Sequence, residues 1–117
     1  MQFDHDRLDV YVAAVDMVAL TKAIVGAFPP GNGDLADQLT RATTSIALNI
    51  AEGAGEYSRA DKARFYRIAK RSATECAAIL DVARKLEIIS RERFESGRGV
   101  LHRIVSMLVK MCHGLEN

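Results

Sequence analysis

The amino-acid sequence predicts an all-α protein, an antiparallel up-down-up-down four-helix bundle forming one domain over residues 1–117. Three observations lead there. Apolar residues recur at three- and four-residue spacing along most of the chain, and no useful stretch alternates with the period of two that a half-buried strand needs. Strong breaks are few: Phe28-Pro29-Pro30-Gly31-Asn32-Gly33 and Gly53-Ala54-Gly55-Glu56-Tyr57, with a weaker one near Ser90. The connections are short, so consecutive helices must lie side by side and run in opposite directions.

The first helix is expected over residues 5–28, ended by Pro29 and Pro30. It is apolar nearly all round, with Tyr11, Val15 and Val18 on one side and Val10, Met17, Leu20 and Ile24 on the other. The second, 34–53, carries a core stripe of Leu35, Leu39, Ala42, Ile46 and Ile50, and Gly53 suits a left-handed helix stop. Its remaining surface includes Ala36, Thr40, Thr44, Ala47, Leu48 and Ala51, which are small or apolar. The third, 59–88, opens on Ser58-Arg-Ala-Asp61, a variant of the capping box. Its expected core residues are Phe65, Ile68, Ala69, Cys76, Ile79, Ala83 and Leu86. The fourth, 91–114, is capped by Ser90 and buries Phe94, Leu101, Ile104, Val105, Leu108 and Cys112. Gly97 and Gly99 weaken its start, at roughly 1 kcal/mol each relative to alanine, so fraying or a kink is expected there.

In a monomeric bundle each helix needs one buried face. Two helices with two dry faces imply a partner surface, and self-association is the expected reading over a wide core with dull surface residues. Charge supports it. Residues 1–55 hold three basic and seven acidic residues, residues 56–117 thirteen basic and eight acidic, beneath a net charge of only +1. This split suits head-to-side packing of copies, or a basic face toward an anionic partner.

Composition narrows the function classes. With 49% hydrophobic residues, the 117-residue chain is too apolar for disorder and the right length for one core. Two cysteines make no disulfide scaffold, which points to the cytoplasm. The N-terminus, Met1-Gln2-Phe3-Asp4-His5-Asp6, is acidic where a secretory signal would be basic. The apolar run Leu8–Phe28 contains Asp16 and Lys22, each worth roughly 2.5–3.5 kcal/mol against insertion near a helix centre, so no membrane role is expected.

Metal, cofactor and catalytic signatures are missing. Di-iron bundles need Glu-x-x-His, but the residues three after Glu52, Glu56, Glu75, Glu87, Glu92 and Glu95 are Gly55, Arg59, Ala78, Ser90, Glu95 and Arg98. Cys112-His113 lacks the earlier cysteine of a haem-attachment motif, since position 109 is valine. Cys76 should lie opposite roughly residue 101, which leaves Cys112 roughly 16 Å away along the helix at ~1.5 Å per residue, too far for a disulfide. Both are expected as core cysteines. His5, His102 and His113 are scattered, without a metal-ligand spacing. Gly53-x-Gly55 follows no strand and is no phosphate loop. No nucleophile with a base and an orienting acid is evident, so the protein is expected not to be an enzyme.

One polar constellation stands out. Arg41, Ser45, Asn49 and Glu52 fall within about 80° of one another at 100° per residue, bordering the second helix's core stripe. On the third helix Ser72 lies inside the apolar stripe and Glu75 at its margin. Antiparallel pairing brings Arg41 within about a turn of Glu75, and a bond between them is expected. Glu52, in a helix's last turn where a carboxylate opposes the macrodipole, is expected to accept from the free N–H groups opening the third helix and to clamp the Gly53–Tyr57 turn. The alternative is a set of unrelated boundary residues.

At these residues the sequence resembles a known family. Arg41-Ala-Thr-Thr-Ser45-Ile46-x-x-Asn49-Ile50-Ala51-Glu52-Gly53, followed by Phe65-x-x-Ile68-Ala69-x-x-Ser72-x-x-Glu75, resembles the four-helix-bundle proteins of the 23S rRNA-intervening-sequence family. It departs at Arg71, where the family often has glycine. The resemblance implies a small bacterial cytosolic bundle assembling as a homo-oligomer, a homopentamer first of all. Some members are encoded within insertions in ribosomal RNA genes. A relative is an accessory variability protein of retroelements that binds nucleic acid and a reverse transcriptase. For most members no activity is established, so the resemblance names a fold better than a function.

The leading functional expectation is a non-enzymatic interaction module contacting RNA, DNA or a nucleic-acid enzyme. Its sequence support is Arg59, Lys62, Arg64, Arg67, Lys70 and Arg71 on the first half of the third helix, with Arg64, Arg67 and Arg71 on one side for phosphate contacts. The plain alternative for this run is a solvated helix face. Two other functions stay open: a protein-binding scaffold with no nucleic-acid role, and an enzyme using the Arg41/Asn49/Glu52/Glu75 stripe.

Overall fold

The computed structural model describes residues 1–116; Asn117, the end of the expected domain, lies outside them. Four helices make up the fold: α1 Asp9–Gly26, α2 Gly33–Ala54, α3 Arg59–Lys85 and α4 Arg91–Glu116. They form a four-helix bundle in which α1 packs on α2, α2 on α3, α3 on α4 and α4 on α1. The diagonal pairs do not meet among the described residues. Contacts give the antiparallel register directly: Ser45 meets Ser72, Thr43 meets Cys76, and Asp81 meets Arg98. No helix of the described residues is long and apolar enough to cross a membrane.

The helix ends follow local chemistry. Residues 5–8, expected inside α1, lie outside it: Asp6 Oδ2 accepts the Phe3 N–H at 2.8 Å, and Leu8 is extended. Ser58 caps α3, accepting the Asp61 N–H at 3.0 Å, and Ser90 caps α4, accepting from Arg93 N at 3.2 Å. The third helix ends at Lys85 rather than 88. Glu87 turns left-handed at φ 60°, its N–H reaches Arg84 O, and the Ile88 N–H reaches Ala83 O, the Schellman arrangement that closes a helix. The fourth helix runs uninterrupted through Gly97 and Gly99. Gly97 is buried against α3, where an added Cβ would meet Leu80 Cδ1 at 2.8 Å, so the expected weak point is a close contact.

Met17, Ile24, Leu39, Ile46, Ile50, Leu80, Leu101, Ile104 and Leu108 fill the centre, all fully buried or nearly so. On α3 the core rows are Tyr66, Ala73, Leu80 and Ala69, Cys76, Ala83. Phe65 and Ile68, expected in this core, are half-buried at its edge, and Leu86 is exposed. Phe94 and Val105 are likewise half-buried.

Gly53 does not stop α2. It is helical and buried, and the Tyr66 ring occupies the space where a side chain would be: an added Cβ would lie 2.7 Å from Cε1 and 2.9 Å from Cδ1. Glycine is required by this close approach and not by a positive φ.

Candidate nucleic-acid interface

The polar constellation divides in two. Ser45 Oγ and Ser72 Oγ share a hydrogen bond of 2.9 Å across α2 and α3, and Asn49 Nδ2 donates to Ser45 O at 2.9 Å and Ser45 Oγ at 3.1 Å. These three half-buried groups satisfy one another. Arg41, Glu52 and Glu75 are exposed, and Arg41 and Glu75 share no hydrogen bond or ion pair among the described residues. Both lie on outer faces, beyond the Ser45–Ser72 seam. Glu52 does not reach the start of α3 either. Ser58 holds that end, while the carbonyl end of α2 draws a cation instead: Lys62 Nζ donates to Ala54 O at 2.8 Å and Gly53 O at 3.4 Å. The macrodipole explains the choice, since a helix C-terminus attracts positive charge.

A second polar seam escaped the sequence reading. Thr21 of α1 and Thr43 of α2, both buried, bring their Oγ1 atoms to 3.1 Å. Thr43 also donates to Leu39 O at 2.8 Å and lies 3.5 Å from Cys76 Sγ. Two threonines inside apolar stripes were the available signal. Burial, more than any charge, pushes the Cys76 thiol up to about 11. Burial likewise raises the Cys112 thiol, and both cysteines are free and buried, Cys76 on α3 and Cys112 on α4.

The basic run of α3 is sorted by its neighbours. Arg59 turns to the end of α4 and donates to the carbonyls of Gly114 and Leu115, and Lys62 is held by α2. Arg67 pairs with Glu116 at 3.2 Å, both side chains about half exposed. Arg64 lies over the Phe65 ring, 4.4 Å from its centroid, and Arg71 is exposed, which leaves room for a long side chain beside Ser72. Arg64, Arg67, Lys70 and Arg71 together line a shallow depression floored by Ile68. Arg67 and Lys70 also border a second depression with Val109, Cys112 and His113 of α4. Four of the six expected cations therefore gather on one surface, and two cap neighbouring helices.

On the opposite layer, α1 and α2 present an apolar outer surface. Val12, Val15 and Leu48 are 51%, 44% and 59% exposed. Thr40 and Thr44, both exposed, spend their hydroxyls on their own helix, donating to Ala36 O and Thr40 O. Ala47, expected on this surface, is buried beside Thr43 on the flank facing α1.

Comparison with known proteins agrees with this architecture. No curated protein matches the chain. A crystal structure of a protein of unknown function from the S23 ribosomal protein family of Bacteroides thetaiotaomicron VPI-5482 is similar, with a TM-score of 0.80 and 25% sequence identity. The match covers 89% of this chain and 95% of that one. The model of the 23S rRNA-intervening sequence protein family matches residues 6–110, through all but the last residues of α4, and the chain belongs to that family.

Proposed function

We propose that this protein is a cytosolic, non-catalytic binding module that works as a homo-oligomer, a pentamer first of all, and contacts nucleic-acid phosphates through the outer face of α3. One observation carries the reading: Arg64, Arg67, Lys70 and Arg71 converge around Ile68 on a single surface. Guanidinium groups bind phosphate oxygens well, and repetition in an assembly multiplies a weak patch. Phe65 is covered by Arg64 and Tyr57 stands alone on the α2–α3 turn, so the surface offers charge with little base readout. Free buried thiols suit the cytosol.

The test is binding of labelled single-stranded and duplex oligonucleotides over a salt series. If all four cations neutralise duplex phosphates, the log–log slope approaches roughly −3.6 per subunit, from about −0.9 per contact. Replacing Arg64, Arg67 and Arg71 by alanine removes roughly three-quarters of that slope. No binding by the intact assembly at low salt refutes the nucleic-acid reading. The apolar α1–α2 surface would then favour the second reading, a scaffold for a protein partner such as a nucleic-acid enzyme of the reverse transcriptase kind.

A further inference from the structure

Between α3 and α4, on the side of the bundle away from the α1–α2 layer, lies a groove walled by Thr74, Ala77, Leu101 and Val105, with Arg98 and His102 at its rim. It encloses about 180 Å³. Small-molecule sites run to roughly 300–1,000 Å³, so this one is the size for a protruding aliphatic side chain. Ala73 and Ala77 leave the space open on the α3 side. The Arg98 guanidinium at its rim favours an acidic visitor: although paired with Asp81 at 3.2 Å, it keeps further N–H donors.

The α1 ridge has the complementary character. Val12, Val15 and Ala19 form an exposed row at three- and four-residue spacing, with exposed Asp9 and Asp16 along one flank. We infer that the α1 ridge of one copy docks in the α3–α4 groove of the next, the valines filling the groove and Asp9 and Asp16 facing Arg98 and His102. This rests on the self-association proposed above and specifies the surfaces it uses. A copy cannot satisfy itself, because α1 lies diagonal to α3 and its exposed row faces away from it. Pairing ridge with ridge would set Asp9 and Asp16 of both copies together, whereas ridge with groove sets the acidic half of the chain against the basic half. Such a contact is heterologous and extends from copy to copy until a ring closes. At 100° per residue Arg64 and Arg71 sit roughly 120–140° round α3 from Ala77 and roughly 60–80° from Thr74, pointing outward, whereas Arg67 and Lys70 lie on the groove's side of the helix.

A mixing experiment decides it. Val15→Arg blocks the ridge, Thr74→Arg blocks the groove, and His102→Glu is a second groove variant; all three positions are exposed, and circular dichroism checks that helicity is kept. Sedimentation of each variant alone should give the 12.8 kDa monomer, where the wild type assembles. An equimolar mixture of Val15→Arg and Thr74→Arg retains one intact ridge and one intact groove, and should form a one-to-one dimer that stops there. Ring closure is lost, so the mixture is measured at roughly tenfold higher concentration. Groove variants that assemble like the wild type, or a mixture that stays monomeric, overturn the docking while self-association stands. A monomeric wild type removes self-association and the docking together.

Discussion

Gly53→Ala tests whether the close contact between α2 and α3 governs this position. In an open helical site the exchange would stabilise by up to about 1 kcal/mol, since glycine is the weaker helix former. Here the new methyl would lie 2.7 and 2.9 Å from two Tyr66 ring carbons and 3.1 Å from Phe65 Cβ. Carbon atoms pack best at about 3.5–4.0 Å, so the ring must retreat by roughly 1 Å. Tyr66 is only 4% exposed and has nowhere to swing. Overpacking of this kind costs about 1–3 kcal/mol, and the tight contacts argue for the upper half of that range. Set against the helix-propensity gain, the net is a destabilisation of about 1–2 kcal/mol, or roughly 4–10 °C in Tm for a chain of this length. Urea and thermal unfolding at fixed protein concentration measure it, with Gly99→Ala as the control. Gly99 has nothing within 4 Å of an added Cβ and should become more stable. If Gly53→Ala stabilises as Gly99→Ala does, the reasoning fails.

Thr43→Val should cost about 1–3 kcal/mol, because it strands the buried Thr21 hydroxyl, while Thr21→Val combined with Thr43→Val should recover most of the loss. Urea midpoints compare the three; a double variant no better than the single one refutes the pairing. Cys76 makes stability depend on alkaline pH. Its thiol is raised in the folded chain from 9.0 to about 11, so the native state keeps a proton that the unfolded chain has released. That contribution is complete below about pH 9 and lost as pH rises through about 11, in all roughly 2–3 kcal/mol. Cys76→Ala should lack this part of the decline between pH 8 and 11, and equal declines would refute it.

Much of the bundle was legible because helix ends are local events. Ser58 accepts from a backbone N–H three residues on, and the Pro29-Pro30 break needs no tertiary information. Gly53 was legible as special but not as what it is. A glycine serves a left-handed stop and a close approach equally well, and the position of Tyr66 decides between them. The exchange of Phe65 for Tyr66 has a similar origin. Core rows on α3 repeat every seven residues, Tyr66-Ala73-Leu80 and Ala69-Cys76-Ala83, whereas a straight 3.6-residue helix drifts about 20° per heptad. Phe65 and Tyr66 lie roughly 40° and 60° to either side of Ala69, so spacing alone admits either one, and the place of Gly53 against the Tyr66 ring decides between them. For the candidate interface, sequence showed six cations and their order. It could not show that Arg59 and Lys62 stand beside the carbonyl ends of α4 and α2, since those ends are brought there by packing alone.

The Arg59 contact joins residues 55 and 56 positions apart in the chain, spanning the whole of α3, the turn and α4. Such a closure requires α3 and α4 to be already laid together and the last turn of α4 already wound. A contact of this sequence separation is expected to form late in folding, after the barrier. Arg59→Ala should then speed unfolding while leaving the folding rate nearly unchanged, as stopped-flow chevrons would read. Interactions absent from the transition state govern how fast a native protein comes apart and leave the folding rate nearly unchanged. On that expectation Arg59 is a latch on the lifetime of the native state, holding the two ends of the α3–α4 hairpin against re-opening.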